Sequence, residues 1–203
     1  MRRGIALAAL VAVAAIVAIV ILTTTGSSHS TGPAGSPTQV TVHPALATIG
    51  GRGFRATAPQ GWQLSSAVAP DGAVRYDLSS TGAPISKLGL PPAGTIGITI
   101  DDFPTSKLAH AGSPAELMRR TVGTPRGAVR VQRAAPPRAT TLAGSPAAEE
   151  SFVYTYRGLS DIQVDVVASH AGRTFLIELD AAPSLGTDSA TALKLLFSSW
   201  RWR

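Results

Sequence analysis

The sequence predicts one α+β domain, an antiparallel sheet flanked by helices, that follows a single N-terminal transmembrane helix. Residues 4–22 are drawn only from Gly, Ala, Val, Ile and Leu, and they predict the membrane helix. Residues 149–181 contain three successive stretches of alternating side chains, which predict strands. Residues 188–200 carry apolar side chains at helical spacing. About 150 residues remain after the anchor and a linker, which is enough for one domain with a core.

The apolar segment is long enough to cross a bilayer. As a helix it would span roughly 28 Å, close to the thickness of the hydrocarbon layer. The apolar part of a cleaved signal peptide is usually shorter, about 7 to 15 residues. The threonines at residues 23–25 also differ from the small-residue site that signal peptidase prefers. The sequence therefore favours an uncleaved anchor over a cleaved signal peptide or a soluble helix.

Flanking charge predicts the orientation of this anchor. Arg2 and Arg3 precede the apolar segment, and the next basic residue is Arg52. Because basic flanks remain in the cytoplasm, we expect residues 1–3 to be a cytoplasmic stub at the plasma membrane and the C-terminal domain to be extracytoplasmic. The chain has no cysteine, so this domain must be stable without disulfides and cannot carry a lipid on a cysteine.

Residues 23–50 predict a flexible linker, and residues 51–203 the folded domain. The linker is rich in Ser, Thr, Gly and Pro, and a chain of this length reaches on the order of 30 Å. His29 and His43 have no acidic or thiol companions nearby, so they do not indicate a metal site. No phosphate-binding loop, dinucleotide fingerprint or zinc motif is present, and we expect no cofactor.

The first half of the domain predicts three strands, at residues 53–58, 74–79 and 95–100. Asp71 and Gly72 favour a hairpin turn before the second of these strands. Asp101 and Asp102 follow the third strand and are expected at its solvated end. Adjacent strand residues point to opposite faces, so this pair alone would rarely converge on one cation.

A short helix and a basic region come next. Ser113, Pro114 and Glu116 predict the start of the helix, which should end by residues 123–125. Residues 119–138 then contain six arginines and no acid, a composition that suits contact with an anion or lipid: Arg119, Arg120, Arg126, Arg130, Arg133 and Arg138. In the alternative interpretation, Arg130 and Arg133 point to different sides of a strand and the others lie in loops.

The last sixty residues have the most regular pattern. Strands at residues 149–156, 162–168 and 173–181, joined by turns near residues 157–158 and 169–172, predict an antiparallel meander. Asp188 is expected to cap a final helix that closes the sheet. The apolar stripe of that helix comprises Leu193, Leu196, Phe197 and Trp200. Trp202 lies one position off the stripe and should be partly exposed.

Catalytic constellations are weak in this sequence. Ser145 follows a glycine, but the second glycine of a nucleophile elbow is missing. His110 and His170 have no carboxylate close in sequence. Asp165 and Glu178 would meet across paired strands as in a glycosidase, although we expect them on the solvent face. The chain is therefore predicted not to be an enzyme.

Several stretches together resemble one known superfamily. They are the strand and turn at residues 54–62, the helix after Ser113, residues 142–154, the strand at residues 172–177 and the final helix. In order and spacing they resemble the PsbP-like superfamily, in particular the small actinobacterial lipoproteins of LpqN type. The resemblance implies an α/β/α sandwich that serves as a non-catalytic binding or assembly module. This chain departs from those lipoproteins because residues 4–22 stand where the lipid-bearing cysteine would be.

These observations predict a single-pass, membrane-anchored binding or scaffold module of the bacterial cell envelope. Its partner would be an envelope protein or a lipid. The formal charge of +6 favours polyanions, which outside the cytoplasm are anionic lipids or wall polymers more often than nucleic acid. One alternative is that the domain docks on anionic lipid or wall polymer through residues 119–138. A second alternative is an envelope hydrolase with an unrecognised site.

Overall fold

The computed structural model describes residues 43–70, 72–85, 91–108, 112–122, 130–156 and 158–203. This part of the chain forms ten strands, two α-helices and two single turns of 3-10 helix. The strands are β1 (His43–Gly50), β2 (Phe54–Gln60), β3 (Gln63–Val68), β4 (Val74–Ser79), β5 (Gly97–Pro104), β6 (Arg130–Leu142), β7 (Ser145–Tyr156), β8 (Leu159–His170), β9 (Arg173–Ala181) and β10 (Arg201–Trp202). The helices are α1 (Pro114–Thr121) and α2 (Gly186–Ser199).

Two antiparallel sheets form the framework. The large sheet has seven strands in the order β3-β4-β5-β9-β8-β7-β6, and the small sheet has three in the order β1-β2-β10. The predicted meander is confirmed as β7, β8 and β9. β7 and β8 are longer than their patterns indicated, and β9 has the predicted bounds. Two-residue turns at residues 143–144 and 171–172 join β6 to β7 and β8 to β9. Both residues of each turn have positive φ, as type I′ hairpins require.

The main core lies between one face of the large sheet and a layer made of the small sheet and α2. Phe54 of β2 stacks on Trp200 with ring centroids 4.2 Å apart, and Phe175 of β9 packs edge-on against both rings. Leu193 and Leu196 of α2 are buried in the same core, as their spacing predicted. Trp200 is also buried, although it follows the last residue of the helix. Trp202 is partly exposed, as expected.

The opposite face of the large sheet is partly covered by α1. Ser113 caps this helix by accepting a hydrogen bond from the Glu116 backbone N–H, which confirms the predicted start. Leu117 and Met118 pack on Val167 and its neighbours in a second, smaller apolar cluster. The domain is thus a mostly antiparallel sheet with one helix on each face.

Three of the differences between the structure and the sequence expectations concern residues assigned above. Residues 43–50, assigned to the linker, form β1, because their backbone groups pair with β2. Asp188 lies in the first turn of α2 and does not cap it, since the helix begins two residues earlier with Leu185 at the cap position. The third predicted strand continues to Pro104 as β5, so Asp101 and Asp102 lie within the strand and pair with β9.

No helix in the described ranges is long and apolar enough to cross a membrane. The predicted span at residues 4–22, with the stub before it and most of the linker after it, lies outside those ranges.

Candidate anion-binding surface

The six arginines predicted as an anion site are distributed over several elements. Arg119 and Arg120 are exposed on α1, where Arg120 pairs with Glu116 at 2.5 Å. Arg138 of β6 pairs with Glu149 of β7 at 2.8 Å. Arg130 and Arg133 belong to β6, but their side chains are not described, and Arg126 lies outside the described residues. Among the described side chains, therefore, two of these arginines already neutralise a carboxylate.

A different group of arginines gathers on the outer face of the small sheet. We call it the arginine patch, and it consists of Arg52, Arg55, Arg201 and Arg203, all exposed. Arg55 and Arg201 are direct partners across the β2–β10 ladder, so their side chains leave the same face. Arg203 follows two residues after Arg201, and its backbone N–H donates to the Gly53 carbonyl at 3.1 Å. Arg52 lies in the adjoining turn between β1 and β2.

Gly50 leaves space within the arginine patch. It is the β1 partner of Arg55, so it occupies the same row on the outer face. A Cβ at this position would lie 3.9 Å from a guanidinium nitrogen of Arg203, which extends over the glycine. The row Gly50, Arg55 and Arg201 therefore forms a shallow surface bordered by guanidinium groups.

The charge of the arginine patch is not neutralised within the described structure. None of the ion pairs that the described residues form includes Arg52, Arg55, Arg201 or Arg203. The sequence also contains no acidic residue from position 1 to 70, and none from 189 to 203. These two acid-free segments supply all three strands of the small sheet. The small sheet is consequently a cationic layer.

Packing and hydrogen bonds fix the position of the patch. Arg201 donates from one guanidinium nitrogen to the carbonyls of Ser198 and Trp200, at 3.0 and 2.6 Å, and so satisfies carbonyls at the end of α2. The Ser199 hydroxyl accepts the Thr57 backbone N–H at 2.9 Å and joins α2 to β2. Beneath this layer lies the stacked pair Phe54 and Trp200. The arginine side chains thus project from a rigid support.

A serine and histidine pair lies beside Trp202 of β10. The Ser145 hydroxyl and His170 Nδ1 lie 3.0 Å apart at the ends of β7 and β8. The His170 ring stacks on Trp202 with centroids 4.4 Å apart, and the Trp202 indole donates to the Leu142 carbonyl. Sequence analysis treated Ser145 and His170 separately, because twenty-five residues separate them. The stacking on Trp202 gives this pair a structural role as the support of β10.

A row of carboxyl groups crosses the other face of the large sheet. Glu150, Asp165 and Glu178 are direct cross-strand partners on β7, β8 and β9. The predicted meeting of Asp165 and Glu178 is confirmed, but the expectation that both face solvent is wrong. Asp165 has no exposed surface and Glu178 is only partly exposed.

Burial raises the pKa of several carboxyl groups in this region. The pKa of Asp165 is raised first by desolvation and then by the negative charge of Glu178. The pKa of Asp180 is raised for the same two reasons, although Tyr154 donates a hydrogen bond to it at 3.0 Å. Gln163 donates to both oxygens of Asp165, at 2.9 and 3.1 Å. Asp165 and Asp180 therefore bind a proton more strongly than an exposed carboxyl group does.

Among the described residues, no group of three or more acidic, histidine or cysteine side chains has the geometry of a metal site. Within the carboxyl row, desolvation raises the pKa of both Asp165 and Glu178.

Asp102 also departs from its expected solvated position. Its side chain is completely buried in β5, and Arg173 of β9 donates to one of its carboxylate oxygens and to its backbone carbonyl. Burial of this charge is tolerated because the guanidinium group compensates it. Asp101, on the opposite face, is partly exposed near Arg75, which confirms that the two side chains diverge.

Comparisons with known proteins identify the fold. The domain resembles the solution structure of CyanoP, the PsbP of Synechocystis sp. PCC 6803, with 14% sequence identity and a TM-score of 0.50, over 85% of this chain and 100% of that chain. The chain has a PsbP-like fold. LpqN of Mycobacterium tuberculosis, a protein described as involved in cell envelope biogenesis, is similar over 77% of this chain and 89% of its own, with 20% identity and a TM-score of 0.45. No protein-family model and no curated protein sequence matches the chain.

The arginine patch of this PsbP-like domain was missed by sequence analysis. A sliding window finds local charge runs, whereas the patch joins arginines from opposite ends of the domain through the β2–β10 pairing. The sequence feature that could have revealed the patch is the absence of acidic residues from positions 1–70 and 189–203. That absence removes the ion-pair partners that usually neutralise exposed arginines.

Proposed function

We propose that this chain is a single-pass, membrane-anchored binding module of the cell envelope that is not an enzyme. Its extracytoplasmic domain docks on anionic lipid head groups through the arginine patch. The observation that carries the proposal is the gathering of four exposed arginines, without ion-pair partners among the described residues, on an acid-free small sheet. Docking through this surface replaces the role that sequence analysis gave to residues 119–138.

The position of the small sheet in the chain supports this role. The predicted anchor at residues 4–22 is followed by about twenty residues before β1 begins at His43. A flexible chain of that length reaches on the order of 25 Å, so the domain would remain close to the bilayer surface. The small sheet contains the first strand after this tether. In lipoproteins that the chain resembles, a lipid on cysteine would serve as the anchor instead.

Charge energetics favour anionic lipid as the ligand. Each Lys or Arg close to an anionic membrane contributes about 1 kcal/mol, and the effect declines within a Debye length. Guanidinium groups also bind phosphate oxygens in bidentate geometry. Arg55 and Arg201 are cross-strand partners, so their guanidinium groups leave the same face of the small sheet. A membrane surface suits this arrangement because several head groups can contact one face of a sheet at once.

Vesicle co-sedimentation of the fragment of residues 43–203 tests the proposal. This fragment contains every residue of both described apolar clusters, so it should fold without the anchor. We expect binding to vesicles that contain anionic lipid, and weak binding to neutral vesicles. The double variant Arg55→Gln/Arg203→Gln should bind about 2 kcal/mol more weakly, roughly thirtyfold. Arg201 is left unchanged because it also caps α2.

Arg119→Gln/Arg120→Gln is the matched control. It removes the same charge from exposed positions on α1, on the opposite side of the large sheet. Its vesicle binding should remain near that of the wild type. Equal losses in the two double variants would indicate attraction by net charge alone, and a loss confined to the control would return the site to residues 119–138. Either result would refute docking through the arginine patch.

A further inference from the structure

We infer that the chain associates with a second copy of itself by edge-to-edge pairing of β3. This strand forms one edge of the large sheet, and its only described neighbour is β4. Pairing of two copies would continue the large sheet across a two-fold axis. The inference concerns a different surface from the arginine patch and does not depend on it.

β3 is exposed over its whole length. Each of its six residues is exposed, including Leu64 at 44% and Val68 at 66%. In the described part of the chain, the backbone hydrogen bonds of loops, turns and caps use no N–H or C=O of residues 63–68. One side of the strand therefore presents backbone groups that are free to pair with another strand.

The two edges of the large sheet differ in their protection against pairing. At the opposite edge, β6 contains Pro136 and Pro137, which lack a backbone N–H, and its register is interrupted on both sides of Ala135. Such prolines and irregularities prevent the pairing of edge strands. β3 contains no proline and no charged residue, and its ladder with β4 is regular. The edge without protective features is the edge expected to pair.

The sequence of β3 is complementary to itself in one antiparallel register. If Ser66 lies on the two-fold axis, Leu64 of each copy faces the partner's Val68. Both residues then lie on the face of the strand that Leu78 and Val74 occupy in β4. Small side chains, Ser65 and Ala67, face each other on the other side. In this register the partner covers Leu64 and Val68 of each copy, and no charged side chains come into contact.

The expected association is weak. Six paired residues extend about 20 Å, and an interface of this length buries less than the roughly 1,200–2,000 Å² of a standard stable complex. Chemical trapping is therefore a more suitable assay than elution volume. The absence of cysteine from the chain makes such trapping specific, because one introduced cysteine is the only thiol present.

Disulfide trapping of the full-length chain in neutral lipid vesicles tests the inference. Neutral lipid removes any contribution from the arginine patch. Ser66→Cys should form a covalent dimer under mild oxidation, because residues opposite each other on paired strands come within the distance that a disulfide requires. Ser65→Cys should react on the order of tenfold more slowly, since its two copies would be diagonal neighbours about 7–8 Å apart. Thr191→Cys, exposed on α2, measures random collision.

A second substitution tests the apolar contact. Val68→Lys in the Ser66→Cys background should reduce the dimer yield several-fold, whereas Thr191→Lys should not. Circular dichroism confirms that each variant is folded. Dimerisation of Ser66→Cys at the rate of Thr191→Cys would overturn the inference. Equal rates for Ser65→Cys and Ser66→Cys would overturn the proposed register, and a protected Ser66→Cys thiol that forms no dimer would indicate that another segment or protein covers β3.

Discussion

Replacement of Asp165 by asparagine should stabilise the domain at neutral pH and reduce the dependence of its stability on pH. Asp165 is fully buried and lies between Glu150 and Glu178 on neighbouring strands. Asparagine is similar in size, carries no charge, and its carbonyl oxygen can accept the hydrogen bond that Gln163 donates. The substitution therefore removes the free-energy cost of protonating this buried carboxyl group at neutral pH, without leaving a cavity.

The sign and size of the effect follow from proton binding. Burial raises the pKa of Asp165, so the folded state retains a proton that the unfolded chain loses near pH 4. This contribution to stability is complete below that pH and is lost as the pH rises towards the folded-state pKa. While one such proton is retained, the free energy of unfolding falls by about 1.4 kcal/mol per pH unit. If Asp165 and Asp180 each retain one proton, the free energy of unfolding falls by about 2.7 kcal/mol per pH unit.

Urea unfolding of residues 43–203 at several pH values between 5 and 8 measures this dependence. The wild-type midpoint should fall as the pH rises, and Asp165→Asn should remove up to about half of the slope. Asp188→Asn, in the first turn of α2 and apart from the carboxyl row, should retain the wild-type slope. A wild-type midpoint that is constant from pH 5 to 8, or an unchanged slope in Asp165→Asn, would refute a raised pKa of Asp165 in the folded state.

Two further substitutions test the packing. Arg173→Leu leaves the buried charge of Asp102 uncompensated and should cost about 3–5 kcal/mol, whereas the double variant Arg173→Leu/Asp102→Leu should recover most of that loss in urea unfolding. If both variants are equally unstable, the ion pair does not account for the effect. Trp200→Ala removes the ring that stacks on Phe54 and should cost about 3–5 kcal/mol by the same assay. A loss below 1 kcal/mol would show that α2 and the small sheet are not one packed layer.

The elements that could be predicted from the sequence are those in which the pattern of apolar and polar residues matches the pattern of buried and exposed residues. Residues 173–181 alternate between the core and the opposite face, so their strand and inward set could be assigned directly. The helix at α1 was found because its cap and proline act locally. β3 was not assigned as a strand, because exposure on both faces leaves no alternation to detect.

Features that depend on which surfaces are covered could not be predicted. Asp165 follows the polar pattern of a solvent-facing residue, yet it has no exposed surface. Asp102 is in phase with the core-facing Ile98 and Ile100, and Arg173 pairs with its buried carboxylate. The arginine patch depends on pairing between Arg55 and Arg201, which are far apart in sequence. Periodicity assigns residues to faces, but it does not determine which faces are covered or which segments become neighbours.

Orientation of the full-length chain on a membrane tests the central claim most directly. Thr48→Cys, exposed on the small sheet, and Leu159→Cys, about 36 Å along β8 from His170, each provide one site for a fluorescent label. Lipid with a quencher on its head group then reports the distance of each label from the bilayer. We predict quenching of the Thr48→Cys label in anionic vesicles, little quenching in neutral vesicles, and little at Leu159→Cys in either. Equal quenching at both positions, or no response to anionic lipid, would contradict docking through the arginine patch.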